Sequence, residues 1–250
     1  MRIHYIIPTL NSAAFVNEFK SKWIREINSL SQKRDDYITF TFIDGGSSDG
    51  TKALLLDTPV IPNSTLLDMP GSTIYEAWNR GLDTIIPTSS SNDWIAFIGL
   101  DDHPKDLSIL LKVILYVENN ILLISFTNNI KLTNDFFSFK KLIKGQKFVH
   151  AGSLHRAKLF ANDCRFLTDY KIIGDYEFML RMKLVNHVHI EYQLPYYIGL
   201  GGISYKFHTI RENFKLRKKY GLGLFAKYLF FKETLSYLKS KIISKYNHHK

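Results

Sequence analysis

The segment Trp94-Ile95-Ala96-Phe97-Ile98-Gly99-Leu100-Asp101-Asp102 decides how the rest of the chain is interpreted. It opens with a short, continuous apolar run, which is typical of a buried strand in a parallel sheet. Ligands of open α/β sheets lie beyond the carboxyl ends of such strands, where Asp101 and Asp102 would stand. Two adjacent carboxylates repel each other, and a divalent cation bridged to substrate phosphates would neutralise them. A polar turn, with Asp102 or His103 capping a helix that Pro104 opens, explains the same residues.

Three further motifs come before this segment. Ile6-Ile7-Pro8-Thr9-Leu10-Asn11 ends a first apolar run, and a second run leads into Asp44-Gly45-Gly46-Ser47-Ser48-Asp49-Gly50-Thr51. The third is Gly71-Ser72-Thr73-Ile74-Tyr75-Glu76-Ala77-Trp78-Asn79-Arg80-Gly81. In this order and spacing, the motifs resemble those of family-2 glycosyltransferases, the inverting group with a GT-A fold. The similarity is closest to bacterial members that build surface polysaccharides, and it extends to about residue 200.

Composition is that of a globular α/β protein with an uneven charge. The chain has 250 residues, of which 45% are hydrophobic, and its single cysteine excludes an intrachain disulfide and a multi-cysteine zinc site. We expect no signal peptide and a cytoplasmic location. The first 200 residues contain 21 basic and 21 acidic side chains, whereas the last fifty contain 12 and 2. A neutral domain therefore carries a basic tail, and this tail has no recognised nucleic-acid-reading motif.

Strand-like and helix-like segments alternate through the first half, which predicts a mostly parallel sheet covered by helices on both faces. The predicted strands lie near residues 3–8, 37–43, 64–68 and 93–99, and the helices near 13–30, 49–56, 72–86 and 105–117. Later segments predict a strand at 121–127, a helix at 175–184, a strand at 187–194, a glycine-rich loop at 199–204 and helix from Phe207 onward. We therefore divide the chain into a GT-A glycosyltransferase domain (1–204) and a basic amphipathic helical extension (205–250).

The donor nucleotide has candidate contacts at two strand ends. Thr9 and Asp44 both follow predicted strands, where a carboxylate can accept from a base N–H or a ribose hydroxyl. The resemblance implies that Thr9, Asn11 and Asp44 line the nucleobase pocket. Asp44 also fits an Asx turn, and Asp49 fits a helix N-cap. We expect donor binding from Asp44 and capping from Asp49.

The third motif predicts a helix whose N-terminus favours an anion. Asn79 and Arg80 would add an amide and a guanidinium, and the guanidinium fork suits phosphate oxygens. The resemblance implies that this helix borders the nucleotide sugar. Family members often carry arginine one place before the asparagine, where this chain has Trp78. A solvated surface role explains Arg80 almost as well.

The resemblance also assigns the paired aspartates. Asp102 would ligate Mg²⁺ or Mn²⁺, and Asp101 would face the sugar or the ribose. Such an ion acts as a Lewis acid on the departing diphosphate. His103, next to Pro104, fits a solvent-facing cap better than a further ligand.

The general base is expected on a later segment. Ile172-Ile173-Gly174-Asp175-Tyr176-Glu177-Phe178-Met179-Leu180-Arg181 resembles the family's second acidic motif, whose aspartate deprotonates the acceptor. We predict Asp175 as the base, provided that burial raises its pKa towards neutrality. Helix capping explains Asp175 too, and Glu177 and Asp169 are the reserve candidates. His150 and His155 fit structural roles better than an acceptor-side role.

These residues predict an inverting glycosyltransferase that moves a sugar from a nucleotide-diphosphate donor to a hydroxyl group. The resemblance alone implies a polyprenol-linked glycan as the acceptor. A dinucleotide-binding dehydrogenase is excluded, because no Gly-x-Gly-x-x-Gly turn follows the first strand. A nucleotidyltransferase of similar fold and a non-enzymatic membrane-surface binding protein remain the alternatives.

The tail adds a predicted partner. Apolar residues recur at helical three- and four-residue steps, flanked by lysines: Leu224, Tyr228, Phe231, Leu235, Leu238 and Ile242, beside Lys227, Lys232, Lys239, Lys241 and Lys245. This pattern predicts a helix that lies on an anionic membrane surface, at the inner face of the cell membrane. An amphipathic helix packed on its own domain or on a second subunit explains the pattern nearly as well.

Overall fold

The fold was analysed in a computed structural model, which describes residues 1–30, 37–58, 60–126, 150–182, 187–190, 196–197 and 207–247. Strands and helices alternate in the first half as the sequence predicts. They are β1 (Ile3–Thr9), α1 (Ala13–Ser29), β2 (Ile38–Asp44), α2 (Thr51–Leu56), β3 (Ser64–Asp68), α3 (Ile74–Ile85) and β4 (Trp94–Phe97). The predicted α/β class is confirmed.

The second half contains shorter strands and the C-terminal helices. Its elements are β5 (His103–Pro104), α4 (Leu107–Tyr116), β6 (Leu123–Phe126), β7 (Leu154–Arg156), α5 (Gly174–Arg181), β8 (His187–Ile190), β9 (Tyr196–Tyr197), α6 (Phe207–Lys219) and α7 (Gly223–Asn247). Short 3₁₀ turns follow α3 and β7, at Ile86–Thr88 and Ala157–Phe160. The predicted glycine-rich loop at 199–204 and the predicted domain boundary both lie outside the described residues.

Seven strands form one mixed sheet in the order β3-β2-β1-β4-β7-β6-β8, and β5 pairs with β9 separately. The first four are parallel neighbours, whereas β7 runs antiparallel to both β4 and β6. Thr9 lies opposite Asp44, and Asp44 lies opposite Asp68, so polar strand ends meet at one edge. Strand β7 was not predicted, since its three residues are too few to show a period.

Two apolar clusters cover the two faces of the sheet. One packs β1 and β2 against α1, with Tyr5, Trp23 and Phe40 in mutual ring contact. The other packs the opposite face against α3 and α5, around Phe97 and Phe166. Alternate residues of each central strand therefore enter different cores, which explains the continuous apolar runs.

The segment after β4 differs from the prediction that Pro104 opens a helix. His103 and Pro104 instead form β5 and pair with Tyr197 and Tyr196. Helix α4 begins at Leu107, and its cap is Asp106, whose Oδ1 accepts from the Ile109 N–H at 3.1 Å. The expected capping by Asp102 or His103 is therefore wrong, and His103 is half-buried rather than solvent-facing. A residue before proline favours extended backbone, which explains why no helix begins there.

The C-terminal extension is two helices rather than one continuous helix. Gly221, at φ +82°, lies in the turn between α6 and α7. Leu216 of α6 is fully buried in a small cluster with Ile173 and Leu180, so α6 packs directly on the segment that carries Asp175. In the part of the chain that the structure describes, no helix is both long enough and apolar enough to cross a bilayer.

Candidate active site

Asp44 ends β2 with its carboxylate fully buried and fully hydrogen-bonded. Oδ2 accepts from the hydroxyls of Thr9 (3.0 Å) and Ser47 (2.6 Å), and Oδ1 accepts from the backbone N–H groups of Gly46 (3.0 Å) and Ser47 (2.7 Å). Burial raises the pKa of Asp44, but these bonds outweigh it and hold the pKa below its ordinary value. Asp44 therefore builds an Asx turn, and Thr9 is part of that turn.

Asn11 joins the same turn from the end of β1. Its backbone has a φ of +48°, and its N–H donates to the Ser47 hydroxyl at 2.9 Å. The Asn11 side-chain oxygen accepts from the Ser48 N–H at 3.0 Å. Thr9, Asn11 and Asp44 are thus brought together at the carboxyl ends of two parallel strands, although their contact with a donor stays a prediction.

Asp49 links the starts of two helices. Its carboxylate accepts from the Ala13 N–H of α1 at 2.9 Å and from the Thr51 N–H of α2 at 3.0 Å. The cap position of α2 itself is Gly50. Asp49 is therefore not the N-cap that the sequence predicted, although its carboxylate accepts from the first backbone N–H group of both α1 and α2.

Helix α3 begins with a capping box formed by Thr73 and Glu76. The Thr73 N–H donates to Glu76 Oε2 at 2.7 Å, and the Glu76 N–H donates to the Thr73 hydroxyl. The protein's own carboxylate therefore lies at this helix N-terminus, where a donor phosphate was expected. A phosphate near α3 would have to be held mainly by side chains.

Asn79 and Arg80 differ sharply in their surroundings. The Asn79 amide bonds the backbone of Phe166 twice, through Nδ2 to the carbonyl and through Oδ1 to the N–H, both at 2.9 Å. Arg80 is exposed, and its guanidinium forms no ion pair among the described residues. Asn79 thus fixes α3 against a loop, whereas Arg80 is available to a phosphate.

Asp101 and Asp102 follow β4, the parallel neighbour of β1. Asp102 is buried, and its Oδ2 accepts from the Gly99 N–H at 2.7 Å. A Cβ placed on Gly99 would lie 2.6 Å from Asp101 Oδ1 and 3.6 Å from Asp102 Oδ2, so glycine lets the two carboxylates converge. Carboxylate oxygens suit Mg²⁺ and Mn²⁺. No group of three possible ligands occurs in the described ranges, so water and donor phosphates would complete the shell.

Asp175 lies in the first turn of α5, whose N-cap is Ile173 and has no side-chain cap bond. The expected alternative, that Asp175 is the cap, is therefore wrong. Its Oδ1 accepts from the Tyr176 N–H at 2.8 Å and from the Tyr75 hydroxyl at 3.3 Å. Burial raises the pKa of Asp175 to about 6, although the two hydrogen bonds act in the opposite direction. This is the raised value that a general base requires.

The reserve candidates have other surroundings. Glu177 is fully buried, within 3.2 Å of Arg181 and 3.5 Å of Lys219. Asp169 is exposed. Glu177 is therefore paired with two cations and Asp169 is open to solvent, whereas Asp175 is half-buried with hydrogen bonds to only one of its oxygens.

The two histidines lie in the aromatic core. His150 and His155 are buried, with ring centroids 4.9 Å apart, and His150 stacks on Trp78 at 5.1 Å. Burial lowers the pKa of His155 to about 4 and that of His150 well below its ordinary value. Both are therefore neutral near pH 7, in agreement with the structural interpretation.

Sequence reasoning missed two residues around Asp175. Tyr75 contacts it across the two helices, and Glu212 of α6 accepts from the backbone N–H groups just before α5. Tyr75 lies within the quoted α3 motif, but nothing in its spacing indicates a partner a hundred residues later. Glu212 is one of two acidic residues in the basic tail, and this isolation could have indicated that it makes a specific contact.

Comparison with solved structures identifies the fold of this chain. No family model and no curated protein matches the chain. Among solved structures, S. aureus TarS 1-349 in complex with UDP-GlcNAc has a TM-score of 0.63 at 13% identity, over 86% of this chain and 66% of that one. A mannosyltransferase from Pyrobaculum calidifontis, in complex with GDP-Man and Mn²⁺, has a TM-score of 0.62 at 15% identity, over 97% and 75%.

The chain spans less than two thirds of another structure of TarS 1-349: it covers 64% of that chain at 13% identity and a TM-score of 0.61. The similarity is therefore one of fold, and the fold is the GT-A fold that the sequence motifs predicted.

Proposed function

We propose that this chain is an inverting, family-2-type glycosyltransferase that moves a sugar from a nucleotide-diphosphate donor to an acceptor hydroxyl. The observation that carries the proposal is Asp175, a carboxylate whose pKa lies near 6 at the start of α5. Within the described part of the chain its Oδ2 has no hydrogen-bond partner, whereas both oxygens of Asp44 are occupied. One oxygen is therefore available to an incoming hydroxyl.

Asp175 would act on the acceptor. Near pH 7 most of the carboxyl is ionised, because its pKa is about 6. It would accept the proton of the acceptor hydroxyl as that oxygen attacks the anomeric carbon, on the face opposite the departing diphosphate. One displacement of this kind inverts the configuration at that carbon, and no covalent sugar–enzyme intermediate is needed.

The donor would bind along the carboxyl ends of β1, β2 and β4. Asp102 would hold Mg²⁺ or Mn²⁺, which when bound supplies positive charge to the leaving diphosphate, and Asp101 would face the sugar or the ribose. Thr9, Asn11 and Asp44 would form the nucleobase side as one hydrogen-bonded turn. Arg80 would contact phosphate oxygens, and Asn79 would contribute by fixing α3 at Phe166.

The direct experiment screens nucleotide sugars for metal-dependent donor hydrolysis and transfer. We expect at least one UDP- or GDP-sugar to be consumed with Mn²⁺ or Mg²⁺, and the Asp102→Ala variant to lose the metal-dependent part while keeping its melting temperature. Release of a nucleoside diphosphate supports glycosyl transfer. Release of pyrophosphate from a nucleoside triphosphate would instead identify a nucleotidyltransferase. No turnover with any donor, despite donor binding, would favour the non-enzymatic alternative.

We further propose that α7 holds the protein on an anionic membrane surface, close to a polyprenol-linked acceptor. The predicted apolar stripe is exposed: Leu224 is 85% exposed, Tyr228 60%, Phe231 67%, Leu235 44% and Leu238 50%. Lys227, Lys232 and Lys239 are exposed on the same helix. Basic residues near anionic lipid contribute about 1 kcal/mol each, so a few of them with this stripe would give reversible binding.

The membrane test must spare α6, because Leu216 packs on α5 and deletion of the whole extension would disturb Asp175. We therefore compare a Leu224→Ser, Tyr228→Ser, Phe231→Ser variant with a Leu115→Ser, Tyr116→Ser control, which removes exposed apolar side chains from α4. In flotation with phosphatidylglycerol vesicles, only the α7 variant should lose binding. Loss in both variants, or no binding by the unmodified chain at low salt, would contradict the proposal. A concentration-dependent dimer abolished by the α7 variant would indicate a second subunit instead.

A further inference from the structure

Tyr75 occupies the contact between the donor-side helix and the helix of the base. Its side chain is only 2% exposed, within α3. A Cβ placed on Gly174 would lie 2.7 Å from Tyr75 Cε2, so only glycine at 174 allows the ring to lie directly against the start of α5. Phe166 also stacks on the ring, with centroids 5.9 Å apart. The phenol is therefore held in place by packing against Gly174 and Phe166.

The hydroxyl of Tyr75 lies between two acceptors. It donates to the Ile172 carbonyl at 2.7 Å and also approaches Asp175 Oδ1 at 3.3 Å. Burial raises the pKa of Tyr75 well above its ordinary value, so the phenol stays a donor at every working pH. The same Asp175 oxygen accepts from the Tyr176 N–H at 2.8 Å. Oδ1 thus accepts from the Tyr176 N–H and shares the phenol proton with the Ile172 carbonyl, while Oδ2 has no partner among the described residues.

The Ile172 peptide that anchors the phenol is itself held from the opposite side. The Glu212 carboxylate of α6 accepts from the N–H groups of Lys171 (2.8 Å), Ile172 (3.0 Å) and Ile173 (3.2 Å). The neighbouring carboxylate of α5, Glu177, is paired with Arg181 and Lys219. In the described ranges, Tyr75 is the one side chain that donates to the Asp175 carboxylate.

We propose that Tyr75 is a positioning residue for the general base: it fixes Oδ1 of Asp175 so that Oδ2 is presented to the acceptor hydroxyl. The proposal rests on the proposed function, because it assumes that Asp175 accepts the proton. It adds a specific consequence. A hydrogen bond from the phenol stabilises the ionised carboxylate, so loss of the phenol hydroxyl should raise the pKa at which the base becomes active.

The test is the pH dependence of kcat/KM for transfer in the full chain, with Tyr75→Phe beside Tyr5→Phe. Tyr5 is also a fully buried tyrosine, in β1 on the opposite face of the sheet, so Tyr5→Phe controls for loss of a buried hydroxyl. In Tyr75→Phe, we expect the low-pH limb of the kcat/KM profile (the acid limb) to move to higher pH by about 0.5–1 unit. At pH 6.5 its kcat/KM should fall about threefold, because a pKa raised from about 6 to about 7 lowers the ionised fraction of Asp175 by that factor, and it should recover at pH 8.5. The KM for the donor should change less than about twofold, since the phenol contacts no predicted donor ligand.

Gly174→Ala tests the same contact without removing the hydroxyl. The added methyl would push the Tyr75 ring away from α5, and we expect the acid limb to move in the same direction as in Tyr75→Phe. An equal loss at every pH with an unmoved limb, in both variants, would overturn the positioning role and leave a packing role. If Asp175→Asn retains transfer at the unmodified level, the proposed function itself fails. An inactive Asp175→Asn with an unmoved limb in Tyr75→Phe refutes the positioning role alone.

Discussion

Asp44 and Asp175 both lie near the predicted crevice, yet Asp44 is fully buried, Asp175 is half-buried, and their hydrogen bonding differs. Asp44 receives three hydrogen bonds from its own turn and one from Thr9 of β1, which hold its pKa below the ordinary value despite burial. Asp175 receives two on a single oxygen, and burial raises its pKa to about 6. The two carboxylates therefore differ in their hydrogen bonding, which occupies both oxygens of Asp44 and one oxygen of Asp175.

This difference assigns them different kinds of work. A saturated carboxylate with a lowered pKa is ionised at all physiological pH and shapes the backbone around it. A carboxylate with a raised pKa and one unoccupied oxygen can exchange a proton. We therefore expect changes at Asp44 to appear first in stability, and changes at Asp175 to appear first in turnover.

The largest expected effect is on transfer by the Asp175→Asn variant. The amide keeps the shape and can still accept from Tyr75, but it cannot take the acceptor's proton. General-base losses are ~10²–10⁴-fold, so kcat should fall by that range while the KM for the donor stays within about twofold. Steady-state kinetics with a labelled donor measure both quantities. A change of only about twofold in kcat would move the base assignment to Glu177 or Asp169.

The next effect concerns the stability contributed by Asp44. In Asp44→Ala, two backbone N–H groups and two hydroxyls lose their acceptor, and we expect a loss of about 2–4 kcal/mol in the free energy of unfolding. Asp68→Ala is the matched control, because Asp68 lies opposite Asp44 in the register but its side chain is 62% exposed. The control should lose less than about 0.5 kcal/mol. Urea denaturation without donor measures both, and equal losses would contradict the comparison.

The pH dependence of these two stabilities should differ in sign. The pKa of Asp44 is lowered on folding, so its contribution is present above the ordinary value of 3.8 and is lost as the pH falls through the folded-state pKa. The pKa of Asp175 is raised to about 6, so its ionisation opposes folding as the pH rises from 3.8 through 6. Asp175→Asn should therefore be more stable than the unmodified chain at pH 7.5, by at most about 3 kcal/mol, and equal to it near pH 4. Equal stability at pH 7.5 would show that the pKa is not raised.

Most of the fold could be predicted from the sequence because its strands are buried on both faces. Continuous apolar runs that end in polar residues mark the positions of β1, β2 and β4 along the chain, and the structure confirms these strands. The three-residue β7 and the two-residue β5 escaped prediction, since they are too short for any periodicity to show. The break between α6 and α7 was also missed, although a glycine with positive φ, here Gly221, commonly follows the end of a helix.

The site could be predicted only as far as single motifs reach. Gly99, Asp101 and Asp102 are adjacent in sequence, so their convergence follows from one strand end. By contrast, the environment of Asp175 is set by Tyr75 and Glu212, which lie on two other helices. Similarly, the Asn79 amide bonds Phe166, 87 residues away, and this contact changes its expected function. Contacts of this range depend on how the helices pack on the sheet, which local spacing does not encode.

The smallest expected effect tests whether α6 supports Asp175 by holding the backbone segment that precedes it. Glu212→Gln keeps the length of the side chain but removes the charge that receives three N–H groups, and charge-assisted bonds are about twice as strong as neutral ones. We expect a loss of about 1–2 kcal/mol in unfolding free energy, which lowers Tm by about 2–8 °C for a chain of this size. Transfer should fall with it, because the segment before Asp175 is less firmly held, while the acid limb of the pH profile stays in place. Glu18→Gln is the control, since Glu18 is 62% exposed and pairs with Lys22 only at 4.0 Å. If both variants melt at the same temperature and transfer equally well, α6 does not support the base. The environment of Asp175 would then depend on its contact with α3 alone.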